Sequence, residues 1–333
     1  MNAAAKPMAP PSSILVTGAA GFIGTRLVAR LQSLPKPAPL ISVDRRAHFA
    51  TRTEHGGTDY GQIVDRDELE AWLAKEKPAL KAVIHLGACT DTTNLDEAYQ
   101  KRMNLQYSQM LWNHCTRAKT PFIYASSAAT YGEGNLGYSD DEGLIPMLKP
   151  LNPYGESKRL FDLWAIEQEK AGKTPPSWSG FKFFNVYGFG ERHKGKMASV
   201  VLHAFDQIQA SGRVKLFKSH REGIAHGQQK RDFIYVEDVV DVLLYAMNRP
   251  IPRGIYNLGS GQARSFLDLV RATFRAMGRS EQIEFIDTPL ELRERYQYFT
   301  EAKMFKLESL GYDKPFTPLE EGVAATVARL GAR

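Results

Sequence analysis

A tyrosine and a lysine four residues apart, Tyr154 and Lys158, are the side chains of this sequence best suited to proton transfer. Their spacing places both on one face of a helix predicted for residues 154–170. A phenol with a pKa of about 10 is a poor base at neutral pH, and a neighbouring ammonium makes its ionised form easier to reach. Ser127 closes a predicted strand and can hydrogen-bond the same substrate oxygen. These residues predict the removal of a proton from a substrate hydroxyl.

A glycine-rich turn near the start of the chain predicts a dinucleotide site. Its three glycines are Gly18, Gly21 and Gly24. The turn follows an apolar run and opens a predicted helix, so backbone N–H groups and the positive end of the helix can face a pyrophosphate. Asp44 ends the next predicted strand, where a carboxylate can hold both hydroxyls of a ribose. The alternative is a turn in a sheet protein that binds nothing.

The order of these features favours catalysis over coincidence. A tyrosine–lysine pair alone is weak evidence, because a chain with 14 tyrosines contains one or so by chance; a core tyrosine and a solvated lysine would look the same. Here the glycine turn, the acid, the strand-end serine and the pair follow one another as an oxidoreductase site requires. The expected chemistry is transfer of a hydride to a nicotinamide as the tyrosine takes the proton.

The residues around Asp44 give conflicting signals about the cofactor. Asp44 alone favours NAD, because a carboxylate binds the free ribose hydroxyls. Arg45 and Arg46 follow immediately and can neutralise a 2′-phosphate, which favours NADP.

Short β-branched runs alternate with amphipathic helical stretches, and this alternation predicts an α/β fold with a doubly wound parallel sheet. The predicted strands cover residues 14–16, 40–43, 82–86, 122–125 and 181–186. The predicted helices cover residues 22–33, 67–76, 97–117 and 154–170.

A chain of 333 residues is large for one core, so we predict a second, smaller substrate-binding lobe. The dinucleotide-binding domain is expected to comprise residues 14–186 and 232–258, and the smaller lobe residues 187–231 and 280–330. Residues 1–13 are rich in alanine and proline without the apolar core of a signal peptide, which predicts a disordered extension.

Composition argues against several other classes of protein. The net charge of +6 is not concentrated in any run, and aromatic residues are not interleaved with lysine and arginine, so nucleic-acid binding is not expected. Cys89 and Cys115 lack the spacing of a metal site, and no apolar stretch reaches the length of a membrane span. We expect a cytoplasmic protein without a metal or a membrane partner.

Several motifs make the chain resemble the extended short-chain dehydrogenase/reductase family over nearly all of residues 14–330. They are TGxxGxxG at 17–24, HLGA at 85–88, Asn104, YASSAATYG at 124–132 and PYGESK at 153–158. Four further segments resemble the branch of ADP-L-glycero-D-manno-heptose 6-epimerases in lipopolysaccharide core synthesis. These segments are KFFNVYG at 182–188, HKG at 193–195 with MASV at 197–200, KRDF at 230–233 and RYQYFT at 295–300.

The resemblance implies an isomerase that inverts carbon 6 of the heptose in ADP-D-glycero-D-manno-heptose, uses NADP and forms a homo-oligomer of about five subunits. It implies that Tyr154 and Lys194 are the two acid/base residues, with Ser127 and Lys158 assisting. The implied cofactor contacts are Gly18, Gly21, Phe22, Ile23, Gly24, Asp44, Arg45, Leu86, Gly87, Ala88, Cys89, Thr90, Asn104, Lys158 and Val186. The implied substrate contacts are Ser127, Asn185, Lys196, His203, Phe217, Lys218, Ser219, His220, Arg231 and Tyr296.

The chemistry of such an inversion calls for two proton-transfer groups. No carbonyl acidifies the carbon to be inverted, so the path runs through a ketone that is reduced on its other face, and Lys194 is the candidate for the second group. The fork of Arg231 suits a diphosphate, although an ion pair with Asp232 or Asp238 is an alternative. Lys196 stands where a serine is familiar in the branch, and the loop 221–229 is longer than in shorter relatives.

Other enzymes of the same superfamily are the nearest rivals. A UDP-hexose 4-epimerase would use Tyr154 alone and would leave Lys194 without a task. A 4,6-dehydratase would need an acid pair after the strand-end serine, where this chain has Ala128 and Ala129. A protein that binds the cofactor without catalysis would not need the tyrosine–lysine pair.

Overall fold

The computed structural model describes residues 12–249, 251–293 and 297–332. The strands in this part of the chain are β1 (Ser13–Thr17), β2 (Leu40–Asp44), β3 (Gln62–Asp65), β4 (Leu80–His85), β5 (Phe122–Ser127), β6 (Trp178–Phe183), β7 (Asn185–Tyr187), β8 (Val214–Phe217), β9 (Lys230–Tyr235), β10 (Gly254–Leu258), β11 (Ala263–Ser265) and β12 (Ile283–Ile286). The helices are α1 (Phe22–Gln32), α2 (Arg46–Thr51), α3 (Leu69–Glu76), α4 (Glu97–Gln100), α5 (Tyr107–Ala118), α6 (Pro153–Lys170), α7 (Val200–Ser211), α8 (Val236–Asn248), α9 (Phe266–Ala276), α10 (Leu290–Arg293), α11 (Phe305–Glu308) and α12 (Leu319–Gly331).

A parallel sheet of seven strands in the order β10-β6-β5-β4-β1-β2-β3 confirms the predicted fold class. The chain builds outward from β1 to β3 and then returns to form β4 on the other side of β1. This reversal of strand order opens a crevice at the carboxyl ends of β1 and β4, where ligands bind in folds of this kind. Helices cover both faces because a sheet with apolar residues on both sides must bury both.

Two predicted elements differ from the observed ones. The predicted strand 181–186 is two strands, since β6 ends at Phe183 in the large sheet and β7 begins at Asn185 beside β9. Phe183 and Phe184 continue the apolar run up to the change, and neither glycine nor proline marks a turn there. The predicted helix 97–117 contains a π-helical stretch over Lys101–Gln106 between α4 and α5. The edge strand β3 was not predicted, because only Ile63 and Val64 carry its apolar character.

A three-stranded sheet (β11-β9-β7) and a parallel pair (β12-β8) lie outside the large sheet. Helices α7, α9 and α12 pack with these strands around a second apolar core, which includes Phe205, Val270 and Val327. The start of α9 is secured by a capping box, in which Ser265 and Asp268 each bond the other residue's backbone N–H.

The division of the chain into two lobes stays a prediction, and we propose to refine it from the two cores. Ala302, Met304 and Leu307 pack in the core of the large sheet, so we assign residues 302–312 to the dinucleotide-binding domain. Helix α9 packs in the second core and is assigned to the smaller lobe. Residues 1–11 of the predicted extension lie outside the described residues. Ser13, the last residue of the predicted extension, belongs to β1.

No helix within the described ranges is long and apolar enough to cross a bilayer. Over the same ranges, no three His, Cys, Asp or Glu side chains gather as the ligands of a metal ion.

Candidate functional site

The crevice at the carboxyl ends of the strands holds a first cavity of about 490 Å³. It is lined by the glycine turn, the ends of β1, β2, β4 and β5, and the start of α6. The residues predicted for cofactor binding or catalysis that line it are Gly18, Gly21, Phe22, Ile23, Gly24, Asp44, Leu86, Gly87, Ala88, Thr90, Ser127, Tyr154, Lys158, Val186 and Lys194. Arg45, Cys89 and Asn104 do not line this cavity.

The glycine turn is as tight as its sequence predicts. Gly18 has a positive φ of 67°, and a Cβ there would lie 2.7 Å from the backbone nitrogen of Gly87. A Cβ on Gly24 would lie 2.1 Å from the carbonyl oxygen of Gly18. Gly21 is the N-cap of α1 and no side chain caps the helix, so the N–H groups of its first turn face the cavity. This arrangement fits the pyrophosphate of a dinucleotide.

A chain of buried hydrogen bonds joins the glycine turn to β4 through His85. Ser108 Oγ donates to the carbonyl of Asn104 (2.5 Å), so it accepts from His85 Nε2 (2.9 Å). The other ring nitrogen, Nδ1, then accepts from Thr17 Oγ1 (2.6 Å), which itself accepts from the N–H of Gly87 (3.1 Å). Burial and the nearby charge of Lys158 lower the pKa of His85 to about 3, so the ring is neutral at physiological pH.

Asn104 holds the loop after β4 and does not face the cavity directly. Its side-chain amide bonds both the N–H (2.8 Å) and the carbonyl (3.0 Å) of Cys89, and also bonds the side chains of Gln100 and Ser157. The loop that forms one wall of the cavity is therefore tied to α6 through a single amide.

The carboxylate of Asp44 lies at the end of β2 among hydrogen-bond donors. It accepts from the N–H groups of Ala20 (3.2 Å) and Arg45 (2.8 Å) and lies 2.8 Å from His48 Nδ1. Arg52 Nη1 is 4.0 Å away. The Arg45 side chain is exposed, whereas His48, Arg52 and Arg66 line the cavity.

Sequence reasoning missed these last three cavity residues. His48 belongs to α2, which has no buried residue. This short helix therefore lacks the apolar pattern by which a helix is predicted from sequence. Arg52 and Arg66 look like ordinary surface charges until the fold brings them to the cavity. Only the cluster of basic residues between positions 45 and 66 could have signalled them.

Tyr154, Lys158 and Ser127 line the first cavity together. Asn152 caps α6, its side chain accepting from the N–H of Gly155 (2.8 Å), so Tyr154 enters the helix in its first turn. Burial raises the pKa of Tyr154, and a hydrogen bond with Ser127 opposes the rise, so the phenol is protonated at neutral pH. Burial lowers the pKa of Lys158 to about 8; its ammonium donates to the carbonyl of Ala125 (2.7 Å).

A buried ion pair lies one helical turn beyond Lys158. Asp162 and Lys182 are both fully buried, with 2.6 Å between the carboxylate and the ammonium. The carboxylate also accepts from the hydroxyls of Tyr124 (3.0 Å) and Ser126 (2.7 Å), and the ammonium donates to Thr130 Oγ1 (2.8 Å). The network connects α6 to β5 and β6 directly beneath Ser127.

A second cavity of about 800 Å³ lies between β7, β8, β9 and the start of α7. Its size suits a nucleotide-sized ligand. Four residues line both cavities, namely Phe184, Val186, Lys194 and Met197. The two cavities therefore adjoin, and Lys194 is the basic side chain at their junction.

Glu191 holds Lys194 at this junction. The Glu191 side chain is buried, and its Oε2 lies 2.8 Å from Lys194 Nζ. The same carboxylate accepts from the N–H groups of Gly188 (3.3 Å) and Ser199 (3.0 Å), so it fixes the loop on both sides of Lys194. The ammonium also lies 5.1 Å from the centre of the Phe22 ring, within cation–π range.

The predicted substrate residues divide into two groups. Those that line the second cavity are Asn185, Lys196, His203, Phe217 and Arg231. Those that do not are Lys218, Ser219 and His220, and Ser127 lines the first cavity instead. Tyr296 lies outside the described residues. Residues of this cavity that sequence reasoning missed include Gln207, Lys215, Gln229 and Phe266.

The three residues outside the cavity belong to the loop that follows β8. The backbone N–H groups of Ser219 and His220 bond His226 Nδ1 (3.1 Å) and the Tyr298 hydroxyl (3.0 Å). Lys218 lies 3.3 Å from Asp287. Arg231 donates to the carbonyls of Lys230 and Gln297, and its guanidinium lies 5.5 Å from the Phe266 ring centre.

Comparisons with known proteins agree with this geometry. Residues 14–259 match the model of the NAD dependent epimerase/dehydratase family. The chain is 45% identical over 320 residues to an ADP-L-glycero-D-manno-heptose-6-epimerase of Fusobacterium nucleatum, with 93% of this chain and 95% of that protein aligned.

Two solved structures are similar over nearly the whole chain. The ADP-L-glycero-D-manno-heptose-6-epimerase of Helicobacter pylori is 28% identical, with a TM-score of 0.81 and 97% of each chain covered. MoeE5 in complex with UDP-glucuronic acid and NAD is 26% identical, with a TM-score of 0.75, covering 96% of this chain and 99% of the other.

Acid should destabilise the fold through His85. Unfolded, this histidine titrates near pH 6.5, whereas in the fold its pKa is about 3, so only the unfolded chain takes up a proton between these values. Stability therefore falls as the pH falls through this window, at about 1.4 kcal/mol per pH unit from this residue. Urea unfolding at a series of pH values should show a shallower slope in His85→Gln than in the native chain. Equal slopes would contradict the assignment of a neutral ring.

Proposed function

We propose that this chain, which belongs to the NAD dependent epimerase/dehydratase family, inverts carbon 6 of the heptose in ADP-D-glycero-D-manno-heptose. The product is ADP-L-glycero-D-manno-heptose, and the enzyme is an isomerase of lipopolysaccharide core synthesis. The observation that carries the proposal is the junction of the two cavities, where Lys194 lines both and Tyr154 lines the first. A nucleotide sugar in the second cavity can there present its sugar to a cofactor in the first.

The cofactor is a nicotinamide dinucleotide, held by the glycine turn, Asp44 and Lys158. We propose that it is NADP. The support is a set of basic side chains in the first cavity, where His48 and Arg52 lie beside the carboxylate of Asp44 and Arg66 lines the same cavity. The two guanidinium groups favour a 2′-phosphate, which a lone carboxylate would repel.

Denaturing the purified chain should release NADP, identified by mass spectrometry. Replacing Arg66 by methionine removes one charge from the proposed phosphate site, and we expect the NADP share of the released nucleotide to fall relative to NAD. Release of NAD alone from the native chain would contradict the choice of NADP but leave the epimerase assignment in place.

The inversion proceeds by oxidation of the alcohol at carbon 6 and reduction of the ketone on its opposite face. A bound nicotinamide supplies the hydride acceptor and donor, so no net oxidation results. Tyr154 faces the substrate oxygen in one orientation, with Ser127 as its hydrogen-bond partner. Because burial keeps the phenol protonated, Tyr154 gives its proton to the ketone oxygen when the ketone is reduced in that orientation. The proton that the alcohol loses on oxidation in the opposite orientation passes to the Lys194–Glu191 pair.

Lys194 serves the opposite orientation of the ketone. When the other face is presented, the oxygen points away from Tyr154, and a second proton-transfer group is needed there. The ion pair with Glu191 holds the Lys194 ammonium at the junction with 26% of its side chain exposed, so the group is positioned and yet accessible. A UDP-hexose 4-epimerase would use Tyr154 alone and would not need the Lys194–Glu191 pair at the junction. We therefore do not favour that alternative.

We propose that Asn185, Lys196, His203, Phe217 and Arg231 bind the substrate, since all line the second cavity. The carboxylates of Asp232 and Asp238, the alternative partners of Arg231, accept hydrogen bonds from Ser260, Ala302 and Thr317. Lys218, Ser219, His220 and Tyr296 remain proposed contacts on the resemblance alone. We further infer that the protein is cytoplasmic, which is consistent with its two free cysteines. That it forms a homo-oligomer is proposed on the resemblance alone.

In heavy water, the hydrogen on carbon 6 should be retained through the inversion. The hydrogen leaves and returns without passing through solvent, whereas proton abstraction would exchange it. NMR of ADP-D-glycero-D-manno-heptose incubated with the purified chain reports the product, its configuration and its deuterium content together. Deuterium at carbon 6 would exclude the mechanism, and an unchanged substrate would exclude the function.

Tyr154→Phe and Lys194→Met should each lower kcat by a factor of about 100 or more, because each removes one proton-transfer group. Circular dichroism and retention of the bound nucleotide check that the fold survives. Lys75→Met, on the exposed face of α3, is the matched control and should keep full activity. Full activity in either site variant would remove that residue from its proposed role.

A further inference from the structure

The second cavity contains a buried amide that the fold leaves without a partner. Gln229 lines this cavity with only 1% of its surface exposed. Its Nε2 atom makes no hydrogen bond with any residue of 12–249, 251–293 or 297–332. A buried donor without an acceptor is costly, and native structures rarely keep one without a reason. Gln229 ends the loop 221–229, to which no role has been assigned.

The direction of β9 shows where Gln229 lies along the cavity. Side chains alternate along a strand, and Gln229, Arg231 and Phe233 all line the cavity whereas Lys230 and Asp232 do not. Phe233 pairs with Asn185, next to the junction of the two cavities. At about 3.3 Å per residue, Arg231 lies roughly 7 Å and Gln229 roughly 13 Å further from that junction.

This order matches the order of groups in a nucleotide sugar. The sugar must lie at the junction, because Lys194 and Tyr154 are there; the diphosphate comes next and the nucleoside last. In this order, Arg231 lies beside the diphosphate and Gln229 lies beside the nucleoside. Resting on the proposed function, we propose that the Gln229 side-chain amide binds the adenine base of the substrate and selects it over other bases.

The amide chemistry suits adenine. A glutamine side chain offers one donor and one acceptor side by side and can pair with the amino group and a ring nitrogen of adenine together. Its backbone is fixed for this purpose, since the carbonyl of Gln229 accepts from the N–H of Phe266 (3.1 Å) and that of Gly227 from Leu267 (3.0 Å). Phe266 lines the same cavity and adds apolar surface to it.

The test compares the binding of ADP and IDP to the full chain with its cofactor bound, by isothermal titration calorimetry. IDP lacks the amino group, so the native chain should bind ADP more tightly. Gln229→Met has a side chain of similar length without the amide. We expect this variant to bind ADP about fivefold to tenfold more weakly than the native chain and to bind IDP with almost unchanged affinity. The preference for ADP over IDP should therefore disappear. Gln228→Met is the control; Gln228 does not line the cavity.

Each outcome decides the proposal. An equal loss of affinity for ADP and IDP in Gln229→Met would place the contact at the ribose or the phosphates and would overturn base selection. Unchanged affinity for both nucleotides would overturn the proposal as well. If Gln229→Met does not fold, Gln229→Leu replaces it under the same criteria. Failure of the proposed function is separate: the native chain would not epimerise ADP-heptose, yet its preference for ADP and its dependence on Gln229 would remain.

Discussion

The buried ion pair between Asp162 and Lys182 is the constraint on which the geometry of the proposed catalytic site depends. Tyr154, Lys158 and Asp162 follow one another at intervals of four residues, so they share one face of α6. Two charges buried this completely stabilise a fold little in net terms, but they tolerate only one arrangement. Because Asp162 also accepts from Ser126, α6 is fixed against β5 in the register that brings Tyr154 to Ser127.

A second carboxylate organises the other side of the site. Glu191 is buried beneath the loop after β7 and binds Lys194 together with two backbone N–H groups. The two proposed lobes would thus each provide one of the proposed proton-transfer groups, and a buried acid lies behind each group. This symmetry of construction fits a reaction that must serve both faces of one carbon.

Much of the fold was predictable because local patterns encode it. Apolar runs separated by amphipathic helices specified the parallel sheet, and β1, β2, β4 and β5 lie where those runs predict. The split of the strand 181–186 was not predictable, since Phe184 is apolar and the change of sheet depends on the partner strand β9. The edge strand β3 and helix α2 have too few apolar residues to be predicted from the sequence.

Short-range patterns suffice to predict the chemistry, because the glycine turn, Asp44, Ser127 and the tyrosine–lysine pair each have a direct physical meaning. The folded chain alone shows which distant side chains share a cavity. Arg52 and Arg66 line the first cavity, Glu191 forms an ion pair with Lys194, and Gln229 lines the second cavity. Such neighbours are set by strand order and lobe packing, which link residues far apart in the chain and leave no local signal.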